Sequence, residues 1–185
     1  MSIEEIIESL KKPDIMKYLN DITQIHMYTK HYLLIAEELS ESGMTFLQPL
    51  KEHRDAYDHF SRILALSLKD DNIKDKNKYI FENIKKALGH EYRAFFDTAD
   101  WLTFTCRKYI REELSHKSIR DKYIKEYDYE SAKIFINELP FKISKFREQK
   151  DVSNENPMID EVNDYKKVMD ELLEIYKNVQ EAMLS

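Results

Sequence analysis

Apolar residues recur every three to four positions along most of this chain, which is the period of an amphipathic helix. The pattern predicts a short first helix from Ile3 to Leu10, which Pro13 ends. A long second helix should follow, with Asp14 as its N-cap, and should end at about residue 42 before Gly43. Both helices begin and stop at residues that favour such ends.

The middle of the chain continues the same pattern with longer helices. One is predicted over residues 49–68, with Pro49 in its first turn, and a charged loop over 69–76 follows it. Another should run from about 77 to about 113, with Gly89 inside it marking a kink or a close helix contact. Residues 118–150 are predicted to form one or two helices, kinked or divided at Pro140.

The C-terminal part is predicted to hold a loop and one last helix. Residues 1–150 form the helical bundle core in this prediction, 151–157 a loop, and 158–185 a helix with a heptad pattern. That helix either packs on its own bundle or lies at a dimer interface. Its apolar seam alternates spacings of three and four, through Val162, Tyr165, Met169, Leu172, Tyr176, Val179 and Met183.

Composition supports an all-α fold, an elongated bundle of about five to seven helices. Only two glycines and four prolines occur among 185 residues, and 35% of the residues are charged. The single cysteine, Cys106, excludes a disulfide framework and suits a reducing cytoplasm, where we expect the protein to reside. We expect no signal peptide and no membrane span. The net charge of −6 disfavours a large nucleic-acid footprint.

Two polar stretches interrupt the apolar pattern, at residues 52–62 and 90–101. On ideal helices His53 and Glu91 fall on the apolar faces, and other polar residues flank them. If the two helices pair antiparallel, His53 should lie near Glu91, and Arg62 or Arg93 should bind Asp97 or Asp55. Such a cluster is either a structural network that fixes helix register or a functional pocket. Its predicted members are His53, Arg62, His90, Glu91, Arg93, Asp97 and Trp101.

A metal site or other cofactor is not predicted. A di-iron site in a helical bundle needs two Glu-x-x-His pairs and further carboxylates, and only Glu113 and His116 have that spacing. His26 and His31 are five residues apart, and His53 and His59 are six apart, so neither pair shares a helix face. No glycine-rich phosphate loop occurs either.

One short motif has a counterpart in a known family. The stretch Arg54-Asp55-Ala-Tyr-Asp-His59 resembles the signature of HEPN domains, which are all-helical proteins of prokaryotic defence and toxin systems. The resemblance implies metal-independent RNA cleavage at a site shared across a dimer. His59 would act on the 2′-hydroxyl or the leaving oxygen, Arg54 would stabilise phosphate charge, and Asp55 would orient the site.

Three functions therefore remain open. The leading hypothesis is a non-enzymatic accessory or regulatory protein that acts through protein–protein contacts and self-associates, through the last helix or the edge of helix 49–68. The second is a HEPN-like ribonuclease or toxin, the only case in which RNA is a partner. The third is a sensor that binds a small anionic ligand through Arg62 and Arg93.

Overall fold

The computed structural model describes residues 1–40, 45–68, 73–152 and 159–184, and these fold into seven α-helices with no strand among them. This confirms the predicted all-α helical bundle. The helices are α1 (Ile3–Leu10), α2 (Pro13–Glu38), α3 (Leu47–Ala65), α4 (Lys76–Ser115), α5 (Lys117–Glu126), α6 (Tyr129–Val152) and α7 (Ile159–Leu184).

The first two helices begin in different ways. A capping box starts α1, since Ser2 Oγ accepts a bond from the Glu5 amide while the Glu5 carboxylate accepts one from the Ser2 amide. The predicted N-cap of α2, Asp14, is wrong. The N-cap is Lys12, whose side chain makes no capping hydrogen bond. Pro13 occupies the first turn instead, where its missing N–H costs nothing. Gly43 lies outside the described residues.

The longest helix, α4, is the centre of the bundle and packs against α2, α3 and α7. Its residues from Ile80 to Leu102 include many that are fully buried, and they face all three neighbours. The helix continues through Gly89, where an added Cβ would lie 3.6 Å from Arg93 Nη1, an ordinary contact. Close approach of another helix therefore does not require glycine at this position.

The segment after α4 divides earlier than Pro140. The break between α5 and α6 falls at Tyr127 and Asp128, where the Asp128 carboxylate accepts bonds from the Ser131 amide (3.0 Å) and hydroxyl (2.7 Å). Pro140 lies inside α6. Residues 151 and 152 of the predicted loop belong to the end of α6, so the prediction is wrong there, and residues 153–157 lie outside the described ranges.

The heptad seam of α7 packs within its own chain. Six of its seven residues are buried against neighbouring helices, and only Met183 is substantially exposed, at 40%. Two tyrosines from other helices also bind the polar edge of α7, because Tyr32 donates to Asp170 and Tyr92 donates to Glu161. The seam is therefore used for intramolecular packing. None of the described helices is long and apolar enough to cross a membrane.

Candidate functional site

The two polar stretches lie on α3 and α4, and these helices pair antiparallel. Glu52 contacts His90, His53 contacts Glu91 and His59 contacts Asn83, so residue numbers rise along α3 as they fall along α4. The antiparallel hairpin and the predicted proximity of His53 and Glu91 are both confirmed. The polar groups separate into two clusters on different sides of the hairpin.

The first cluster is the triad of His26, His53 and Glu91, which three different helices supply. The Nδ1 atom of His53 lies 3.1 Å from Glu91 Oε1 and 3.0 Å from Glu91 Oε2. The Nδ1 atom of His26 lies 3.2 Å from Glu91 Oε2. The two imidazole rings stand edge to face with their centroids 4.7 Å apart. Both histidines therefore direct a ring nitrogen at the same carboxylate.

The environment of the triad keeps Glu91 ionised. Burial is the largest influence and acts to raise the pKa of Glu91, but the bonds to His26 and His53 outweigh it and leave the pKa lowered. The bond to Glu91 in turn raises the pKa of His26. Glu91 is only 4% exposed. A buried negative charge thus faces two imidazoles, both of which lie within hydrogen-bond distance of it.

A cavity of about 290 Å³ opens beside the triad, between α2 and α3. Apart from the triad itself, its walls are mainly apolar. They comprise Ile22, Thr23, Met27, Ala56, Tyr57 and Phe60.

The second cluster lies on the other edge of the hairpin and centres on Glu52. Its carboxylate accepts a 2.9 Å bond from Arg93 Nε and lies 2.9 Å from His90 Nδ1. The same His90 nitrogen is 2.7 Å from Arg93 Nη2, so it donates to Glu52 when it carries a hydrogen and accepts from Arg93 when it does not. His59 stacks on His90 at 5.3 Å and bonds to Asn83 Oδ1 at 2.9 Å.

This edge carries a pocket of about 370 Å³ whose lining is strongly basic. Burial is the main cause that lowers the pKa of His59, and the positive charges of His90, Arg62 and Lys86 act in the same direction. Only one acidic side chain contributes to the lining, and the protein as a whole is acidic. The lining residues are His59, Glu82, Lys85, Lys86, Gly89, His90 and Arg93.

Several predicted site residues lie elsewhere. Arg62 is half-exposed and binds Asp58 on its own helix at 2.6 Å, so it is not the arginine that binds Asp55 or Asp97, and the alternative pairing through Arg93 stays a prediction. Trp101 is half-buried and packs against Phe46, with 5.3 Å between ring centroids. Asp97 is half-buried on α4, one turn after Arg93.

The three residues of the HEPN-like stretch do not converge within one chain. The side chain of Arg54 is 72% exposed and binds Asp55 at 2.7 Å. His59 is only 8% exposed and faces Asn83 and His90 on α4. One protein chain therefore does not form the RNA-cleaving arrangement that the resemblance implies, and a site shared between two chains stays a prediction.

Sequence analysis did not identify several residues of the two clusters and of the basic pocket, namely His26, Glu52, Asn83, Lys85 and Lys86. The search for metal ligands compared histidines along one helix, whereas the triad draws one residue from each of three helices. The available signal for His26 was its position one turn after Ile22, at the edge of the buried face of α2. Lys85 and Lys86 look like ordinary solvated residues until the fold places His59 beside them.

Comparison with known proteins gives no relative: no family model, no curated protein and no solved structure matches the chain.

Proposed function

We propose that this protein is a non-enzymatic helical regulatory protein that self-associates through the exposed face of α3. The observation that carries the proposal is an apolar stripe on that helix, formed by Leu47, Leu50, Tyr57 and Leu64. Their exposed fractions are 62%, 41%, 71% and 53%. Leu50, Tyr57 and Leu64 follow at intervals of seven, so they lie above one another along α3.

Such a stripe is unfavourable on a monomer in water. Contiguous apolar surface on a soluble protein usually marks an interaction site, whereas single exposed apolar residues do not. A second copy of α3 offers the same heptad spacing, and a twofold axis would place stripe against stripe. Arg54 belongs to the same heptad register and would lie inside this interface, where its bond to Asp55 leaves the pair neutral overall.

Sedimentation velocity of the purified protein over the micromolar range tests the interface. We expect a concentration-dependent dimer, and we expect the double variant Tyr57→Glu/Leu64→Glu to remain monomeric, because two buried carboxylates per chain would oppose association. The matched control is Phe104→Glu/Phe141→Glu, which adds the same charge at side chains that are 58% and 79% exposed on other helices. A wild-type protein that is monomeric throughout, or a control that dissociates equally, contradicts the proposal.

A specific observation also favours a second function, the binding of a small anion such as a phosphate or sulfate group. Lys85, Lys86 and Arg93 converge with His59 and His90 on one pocket of a protein whose net charge is −6. Arginine and lysine side chains are the usual partners of phosphate oxygens. The sequence predicted a sensor that binds a small anion through Arg62 and Arg93. In the present proposal Arg93 remains an anion-binding residue, and Lys85 and Lys86 replace Arg62.

Calorimetric titration with sulfate, a dianion that keeps its charge across the relevant pH range, tests the pocket. The variant Lys85→Gln/Lys86→Gln should weaken binding at least about tenfold, since each charge contributes about 1 kcal/mol near the protein surface. The variant Lys74→Gln/Lys78→Gln makes the same change in net charge at exposed residues outside the pocket and should bind as the wild type does. Equal weakening in both variants would show a non-specific charge effect.

The pH dependence gives a second readout of the same titration. The folded-state pKa of His59 lies below the ordinary value of 6.5, so His59 reduces stability as pH falls from about 6.5 through the folded pKa. A bound anion favours the imidazolium and raises that pKa. Sulfate affinity should therefore increase as pH falls through about 6.5 toward the lowered pKa of His59, and the increase should be smaller in His59→Gln. Affinity that is independent of pH in both proteins contradicts binding at this pocket.

A further inference from the structure

We propose that His26, His53 and Glu91 form a binding site for one divalent transition-metal ion of the zinc class. The site is separate from the basic pocket, its cavity shares only Tyr57 with the apolar stripe of α3, and each helix of the α2–α3–α4 core contributes one ligand. The two nitrogens and the carboxylate oxygens that could serve as ligand atoms lie within 4.8 Å of one another.

The distances fit a metal centre. Ligands at 2.0–2.1 Å from a tetrahedral zinc ion stand about 3.3 Å from each other. In the structure the Nδ1 atoms of His26 and His53 lie 3.2 Å and 3.0 Å from the same oxygen, Glu91 Oε2. An ion could replace these two contacts once the side chains rotate to make room for it. The three helices already bring one ligand atom of each residue within 4.8 Å of the others.

The donor set also selects the class of metal. Two imidazoles and one carboxylate suit zinc and neighbouring divalent transition metals, whereas calcium and magnesium prefer ligands that are all oxygen. Glu91 is only 4% exposed, and its carboxylate supplies the negative charge that a dication needs. Both histidines would bind in the neutral form through Nδ1.

Three protein ligands leave a tetrahedral ion with one open position. A closed structural zinc site uses four protein ligands, and a three-ligand site keeps a position for water or another small molecule. Here the cavity of about 290 Å³ lies directly beside the triad, with Met27, Tyr57 and Phe60 in its wall. The fourth ligand would enter from this cavity.

The alternative is that the triad only ties α2, α3 and α4 together through hydrogen bonds. Both roles predict some loss of stability when a ligand is removed, so stability alone does not separate them. Metal affinity does, because a hydrogen-bonded network needs no cation. The experiment therefore measures metal binding directly, on the full chain.

The chain is first dialysed against EDTA and then titrated with Zn²⁺ by calorimetry, and with Co²⁺ by visible absorption. We expect one ion per chain and, with Co²⁺, the intense visible bands of a tetrahedral site. Either His26→Gln or His53→Gln should lower the affinity by about 100-fold or more, since even the residues that only support metal ligands are worth 10–100-fold. The side chain of His26 is 47% exposed, so its replacement should leave the fold intact.

His31→Gln is the matched control, because it removes an exposed histidine from the same helix as His26. It should bind zinc as tightly as the wild type. Glu91→Gln, which keeps the size of the side chain, should also lose the site and provides a second variant if a histidine variant folds poorly. A wild-type protein that binds no zinc, or an affinity that falls as much in His31→Gln as in His26→Gln, overturns the proposal.

Discussion

Replacing Tyr165 with alanine should lower the free energy of unfolding by about 3–5 kcal/mol, the usual cost of removing a large buried aromatic side chain. Tyr165 is fully buried on α7 and stacks on Phe146, with 4.4 Å between ring centroids. It also contacts Phe95 and Phe96 of α4 edge to face, at 6.2 Å and 5.5 Å. Its loss would open a cavity where α4, α6 and α7 meet.

Tyr165→Phe separates packing from hydrogen bonding at the same position. The hydroxyl donates to Asp100 at 2.8 Å, and burial raises the pKa of Tyr165, so the hydroxyl remains a donor. Asp100 keeps its 2.9 Å bond to Arg147 when the hydroxyl is removed, and the change should cost only about 1 kcal/mol. Urea denaturation measures the free energy of unfolding of both variants.

Phe141→Ala is the control, at a side chain that is 79% exposed, and its free energy of unfolding should stay within about 0.5 kcal/mol of the wild type. If Tyr165→Ala costs no more than Phe141→Ala, then α7 is not anchored as described.

Helical periodicity was enough to predict the fold because each long helix buries a continuous apolar face. The seam of α7 shows what periodicity does not predict. Spacings of three and four identify the buried side of a helix, but they do not say whether its partner is the same chain or another. In the structure the partner is the same chain. Tyr165, for example, contacts Phe95 and Phe96, which lie about 70 positions earlier in the sequence.

The candidate site was predictable only as far as helix faces determine it. His53 and Glu91 were paired correctly, because both lie on apolar faces of consecutive helices. Arg62 was assigned to the wrong partner, since a long flexible side chain at the edge of a face can turn back to an acid one turn earlier, and Asp58 supplies it. His26 was missed because a position on α2 has no fixed relation to α3 and α4 until the three helices pack.

Variants of Glu91 distinguish most clearly whether the triad has a structural role or binds a metal ion. With EDTA present, Glu91→Ala should lower the free energy of unfolding by about 1.5–3 kcal/mol, because bonds from His26 and His53 to a buried carboxylate are lost. Glu91→Leu should lose less than Glu91→Ala, since leucine fills the volume that alanine leaves empty, although it also leaves His26 and His53 without their shared acceptor.

Zinc should then widen the stability difference between the wild type and both Glu91 variants. At a free zinc concentration of 100 times the dissociation constant, a site that exists only in the folded state adds about 2.7 kcal/mol to the wild type. Glu91→Leu and Glu91→Ala should gain little, because each lacks the anionic ligand, and His31→Gln should gain as much as the wild type. Urea denaturation with EDTA and with zinc measures all four proteins. If zinc stabilises Glu91→Leu as much as the wild type, Glu91 is not a ligand, and the triad serves only to hold α2, α3 and α4 together.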